Sequence, residues 1–112
     1  MTISELQQQI DIWINQYGVR YYNELTNTTL LMEEVGEFAR LAARIFGEQS
    51  FKPGSEPIDT KAALADELAD IMFVLVSLAN QMHIDLDDAM MKNLQKKTDR
   101  DKDRHSQNPR LQ

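Results

Sequence analysis

The run Ile71-Met72-Phe73-Val74-Leu75-Val76-Ser77-Leu78-Ala79 is apolar on almost every side of the helix that its spacing predicts. A helix that is hydrophobic all round has to be covered all round. A chain of 112 residues makes one domain with a modest core, too small to wrap such a helix with its remaining segments. A subunit interface is the economical solution, so the chain is expected to work as a homodimer or homotetramer.

The first half of the same helix carries acids where apolar side chains belong. At about 100° per residue, Glu67 and Asp70 fall in one arc with Leu64, Ile71, Val74 and Leu78. An upstream helix repeats the pattern, with Glu34 and Glu37 among Leu30, Phe38, Leu41 and Ile45. Taking a carboxylate out of water costs several kcal/mol even after relaxation, so something cationic has to compensate these pairs. Residues three apart share a helix face, and two such helices packed antiparallel would gather four carboxylates.

Hard oxygen ligands of this kind suit Mg²⁺ or Mn²⁺ and offer nothing to zinc or copper. Cysteine is absent from the chain, which excludes thiolate sites and disulfides. The expected ligands are therefore Glu34, Glu37, Glu67 and Asp70, with Mg²⁺ as cofactor and Mn²⁺ as its substitute. The bland alternative is a set of structural ion pairs with Arg40, Arg44 or Lys61. A di-iron bundle would need Glu-x-x-His, yet the residues three before His83 and His105 are Asn80 and Lys102. Glu33, on the edge of the acidic arc, is a candidate for orienting water.

Around these two helices the chain reads as all-α, a four-helix bundle in one domain spanning 1–112. The first helix is expected from an N-cap at Ser4 to Tyr17, ended by Gly18, and the second from Asn27 or Thr28 to just before Gly47. Residues 47–59 hold two Gly and two Pro and read as a surface loop. The third helix is expected from Thr60 to Met82, and a fourth from Leu86 behind the cap Asp85. Residues 105–112 are expected to fray.

Charge is unevenly spread. Residues 92–112 carry +4 and residues 1–91 carry −10, within a net charge of −6. An acidic body lacks the basic footprint of a nucleic-acid binder, although a bound metal would still let it take a small phosphate ligand. The N-terminus has no signal-like segment, and the longest apolar run is too short for a bilayer. No membrane association and a cytoplasmic location are the expectations.

The stretch Glu33-Glu34-Val35-Gly36-Glu37, followed on the next long helix by Glu67-Leu68-Ala69-Asp70, resembles the EExxE and ExxD motif pair of the MazG-like nucleotide pyrophosphohydrolases. The resemblance implies an all-α dimer or dimer of dimers that uses Mg²⁺ to hydrolyse nucleoside triphosphates to monophosphate and pyrophosphate. It places the metal ligands on Glu34, Glu37, Glu67 and Asp70, with Glu33 as the additional motif acid. It also points to basic residues of the last helix for the phosphates, here Lys92, Lys96 and Arg100.

A base pocket needs aromatic or apolar walls with a few polar contacts. Trp13 and Phe38 are the first candidates, beside Tyr21, Tyr22 and Phe51, while Asn23, Asn27 or Asn80 could read a base edge. The rival readings are an all-α dUTPase-like or phosphoribosyl-ATP pyrophosphohydrolase activity, and a non-catalytic helical module that binds nucleotide or protein.

Overall fold

A computed structural model describes all residues 1–112. It contains α1 (Ile3–Tyr17), α2 (Glu24–Ile45), α3 (Thr60–Gln81), α4 (Leu86–Asp101) and a closing 3₁₀ turn (Pro109–Leu111), with no strand. Each α-helix starts on a side-chain oxygen that accepts from a first-turn amide. Thr2 accepts from Glu5 N, Asn23 from Thr26 N, Asp59 from Ala62 N, and Asp85 from Asp87 N and Asp88 N.

Two of these starts differ from the expectation. Thr2, not Ser4, caps α1; Ser4 instead donates its backbone N–H (3.2 Å) and its hydroxyl to the Asp87 carboxylate, tying α1 to the first turn of α4. The second helix begins at Glu24, a turn earlier than expected, because Asn23 takes the cap. The Thr28 and Thr29 hydroxyls donate back to Glu24 O (2.8 Å) and Leu25 O (3.0 Å), so the threonine run lies inside the helix. The third and fourth helices start as expected at Thr60 and Leu86, and residues 46–59 connect α2 to α3 without regular structure. The tail ends in a short turn rather than free, with Asn108 accepting from Arg110 N and Gln112 donating to Ser106 O.

Helices α2 and α3 run antiparallel, since Asn27 hydrogen-bonds Gln81 at one end while Glu34 meets Glu67 and Asp70 further along. Helix α1 lies across α3, where Ile10, Ile14 and Val76 form the core with Leu6, Tyr21, Phe73 and Leu86 against it. Gln7 locks this corner: its Nε2 donates to Asn80 Oδ1 and Ile84 O, and its Oε1 accepts from Leu86 N. Helix α4 docks mainly on α1.

One chain does not close into the expected bundle. Its radius of gyration is 18.0 Å, against about 13 Å for a compact domain of this length. Only six hydrophobic side chains are buried: Ile10, Ile14, Val74, Val76, Leu78 and Ala79. Val76, Ser77, Leu78 and Ala79 are buried right round the end of α3, but the helix is open on one face before them. Leu68, Met72 and Leu75 line that face at 52, 54 and 42 % exposure, with Met32 and Val35 of α2 also open.

Candidate active site

The antiparallel seam of α2 and α3 sets the two acid pairs against each other. One carboxylate oxygen from each of Glu34, Glu67 and Asp70 lies within 4.8 Å of the others. Glu37, one turn beyond Glu34, stands close enough for its charge to act on both Glu34 and Glu67. Burial comes first in raising the Glu34 and Glu67 carboxyls above the ordinary glutamate range. The charges of Glu37 and Asp70 push both further, Glu67 adds to the effect on Glu34, and Asp66 to that on Glu67.

No cation of the chain relieves this. Glu34 Oε2 and Glu67 Oε2 are buried without a hydrogen-bond partner. All three ion pairs of the protein lie elsewhere, on α4 and the segment that follows it. Arg44 instead donates to Arg40 O and Gln49 Oε1. The structural ion-pair reading is therefore not realised. A half-buried, all-oxygen donor set with two buried, orphaned atoms fits a hard divalent cation.

One turn along the same seam lies a cavity of about 240 Å³. Its walls include Trp13 from α1, Tyr21 from the α1–α2 connection, Asn27 and Leu30 from α2, and Phe73 and Ser77 from α3. Trp13 meets Phe73 edge to face, with centroids 5.5 Å apart and planes at 89°. Leu30 precedes Glu34 by one turn and Val74, also in the wall, follows Asp70 by one turn. Cavity and carboxylates thus share one groove, with Asn27 about 10 Å from Glu34 along the helix axis.

Residues 22–105 match the MazG nucleotide pyrophosphohydrolase domain. The chain belongs to the MazG family. YpjD of Bacillus subtilis is 37% identical over 103 residues, covering 92% of this chain and 89% of that protein. Its crystal structure superposes with a TM-score of 0.74 at 31% identity, over 86% of this chain and 94% of that one. A Bacillus-conserved MazG protein, a nucleotide pyrophosphohydrolase, also gives 0.74 at 32% identity, over 93% and 97%. Mouse dCTP pyrophosphatase 1 is 36% identical over 67 residues, which is 58% of this chain and 39% of that protein. The enzyme is a nucleotide pyrophosphatase, of a family that depends on metal.

The acids of the two acidic stretches divide in the structure. Glu34, Glu67 and Asp70 converge with the exposed Glu37 beside them, whereas Glu33 is exposed and takes no hydrogen bond. Of the aromatic candidates, Trp13, Tyr21 and Tyr22 line the cavity. Phe38 sits a turn beyond Glu34 and Phe51 lies in the 46–59 connection, both partly buried and outside the cavity wall.

Asn23 is spent as a helix cap. Asn80 donates to Gln7 O and to the Tyr21 hydroxyl, which in turn donates to Asp11 at 2.6 Å. Burial, reinforced by the Asp11 contact, pushes the Tyr21 hydroxyl up to about 12. The basic candidates stand on α4 without an ion pair or hydrogen bond to the acid cluster. Lys92 pairs with Asp88 (2.8 Å), Arg100 pairs with Asp101 (2.7 Å), and Lys96 is exposed. Sequence reasoning missed Leu30, Phe73, Ser77 and Gln81. Ser77 had left a signal, as the one hydroxyl in the apolar run.

No helix is long and apolar enough to cross a membrane.

Proposed function

We propose that this MazG protein hydrolyses nucleoside triphosphates to the monophosphate and pyrophosphate with Mg²⁺. The observation that carries the reading is the single groove in which an aromatic cavity adjoins a carboxylate cluster with two buried, unpartnered oxygens. The base would enter the cavity between Trp13, Tyr21 and Phe73, leaving the triphosphate over the acids. Glu34, Glu37, Glu67 and Asp70 would hold Mg²⁺, or Mn²⁺ in its place. Such an ion neutralises phosphate oxygens and makes water more acidic.

Water attack on the α phosphorus breaks its bond to the bridging oxygen, pyrophosphate leaves, and the released proton passes to a carboxylate, for which solvent-facing Glu33 is the candidate. Lys92, Lys96 and Arg100 are the candidate phosphate contacts. Phe38 would pack behind the ligand Glu34 and the nucleotide. A homodimer or homotetramer that covers Leu68, Met72, Leu75, Met32 and Val35 would complete the core that one chain leaves open.

The test is pyrophosphate release from a panel of NTPs and dNTPs with and without Mg²⁺. Glu37→Gln is expected to keep the helices while lowering Mg²⁺-dependent release by about 10²-fold or more. No turnover on any nucleotide, with no rise in melting temperature on adding Mg²⁺, would leave a non-catalytic helical module.

A further inference from the structure

The cavity contains two deeply buried polar side chains, Asn27 (5 % exposed) and Ser77 (3 %), and their hydrogen bonds fix which polarity each presents. Gln81 donates its Nε2 to the backbone carbonyl of Tyr22, a group that can only accept. Its other terminus, Oε1, is therefore an acceptor, and Asn27 Nδ2 donates to it at 2.7 Å. The Asn27 amide is thereby oriented, and it leaves two groups for a ligand, its unpartnered Oδ1 and the second N–H of Nδ2. Ser77 spends its only proton on Phe73 O at 2.7 Å, so its oxygen too can only accept. The Tyr21 hydroxyl is already occupied by Asp11 and Asn80. Each buried polar side chain of the cavity thus offers an acceptor, and Asn27 adds one donor beside its own.

We propose that Asn27 and Ser77 select a base bearing an exocyclic amino group, with Gln81 as the positioning residue that holds Asn27 in its accepting orientation. An amino group brings two N–H donors to the two acceptors, while the ring nitrogen beside it can take the remaining Asn27 N–H. The matched keto base reverses both polarities and sets a lone pair against the acceptors and an N–H against the donor. The cavity, at about 240 Å³, falls below the roughly 300–1,000 Å³ of pockets that engulf drug-sized ligands. It admits a ring and leaves the phosphates outside. This selection rests on the nucleotide reading above, but its test does not need turnover.

Trp13 is the only tryptophan of the chain and lines the cavity, so its fluorescence reports base entry directly. The protein, with Mg²⁺ present, is titrated with dCMP and dUMP, and separately with AMP and IMP. The amino member of each pair is expected to bind about tenfold or more tightly, since the keto member leaves buried acceptors unsatisfied. Gln81→Met frees the Asn27 amide to turn, and Asn27→Leu removes the acceptor. Both should bring the amino-to-keto ratio towards one, while circular dichroism confirms that the helices persist.

Equal affinities within each pair, a keto preference, or no fluorescence change with any of the four overturns the proposal. So does a ratio unchanged in Gln81→Met. Pyrophosphate release is measured in parallel. Turnover without discrimination refutes the selection and leaves the proposed activity standing, whereas discrimination in binding without turnover does the reverse.

Discussion

Removing one charge from the acid cluster should stabilise the protein without metal and abolish its response to metal. Glu67 is the best place to do this. Its Oε2 is buried and unpartnered, it stands within 4.8 Å of Glu34 and Asp70, and Glu37 acts on it too. Two like charges at that distance repel by about 3 kcal/mol at an effective dielectric near 20. Solvent at the open side of the cluster and partial protonation reduce the net strain, so Glu67→Gln should recover roughly 1–2 kcal/mol. For a domain of this size, that is a rise of roughly 5–10 °C in melting temperature in EDTA at neutral pH.

Mg²⁺ at 100 times its Kd would stabilise the wild type by about 2.7 kcal/mol and the variant by far less, so the order of stability reverses between EDTA and excess Mg²⁺. Thermal melts followed by circular dichroism at fixed protein concentration read both halves. A Glu67→Gln protein that is less stable than wild type in EDTA, or that gains as much from Mg²⁺, would refute the frustrated-cluster argument.

The same cluster sets a pH dependence. Because Glu34 and Glu67 titrate above the ordinary glutamate range, the metal-free fold binds protons that the unfolded chain has released. Its extra stability is complete below the ordinary value and is lost as pH rises through the raised ones, a decline that melts in EDTA should show and excess Mg²⁺ should flatten. Tyr21→Phe, which strips Asp11 and Asn80 of a shared partner, should cost about 1–3 kcal/mol in urea unfolding. With the hydroxyl held near 12, the wild type should also lose stability as pH climbs from 10 to 12, a step absent from Tyr21→Phe. Met72→Asp, on the open face of α3, should lower the molar mass measured by light scattering, and an unchanged mass would place any subunit contact elsewhere.

The carboxylate cluster was legible in the sequence because a charge in an apolar arc is a contradiction visible on a helical wheel, and the structure brings Glu34, Glu67 and Asp70 together on one seam with Glu37 at its exposed edge. The helix starts at Thr60 and Leu86 were legible for a local reason, as the caps Asp59 and Asp85 lie next to the turns they serve. The start of α2 was not, because Thr26, Asn27, Thr28 and Thr29 have the composition of a cap yet bond inside the helix. The selecting polarity of the cavity was also out of reach. It depends on Gln81 meeting Tyr22 and Asn27 across the fold, contacts that no spacing rule encodes. Nor could the sequence place α4, whose docking on α1 rests on Gln7 and Ser4 reaching residues more than seventy positions away.

The connection at residues 46–59 joins the two helices that carry the acids but contributes none of those acids and no part of the cavity wall. The register of the seam is set instead by helix-to-helix packing and by the Asn27–Gln81 bond at its far end. Doubling the length of such a flexible segment adds only about 0.6 kcal/mol of closure entropy. New sequence can thus be spliced in near Gly54, whose φ of +79° marks a turn with open space around it, while the groove a few turns away keeps its shape. The chain separates the part that has to stay rigid from the part that is free to acquire a new role.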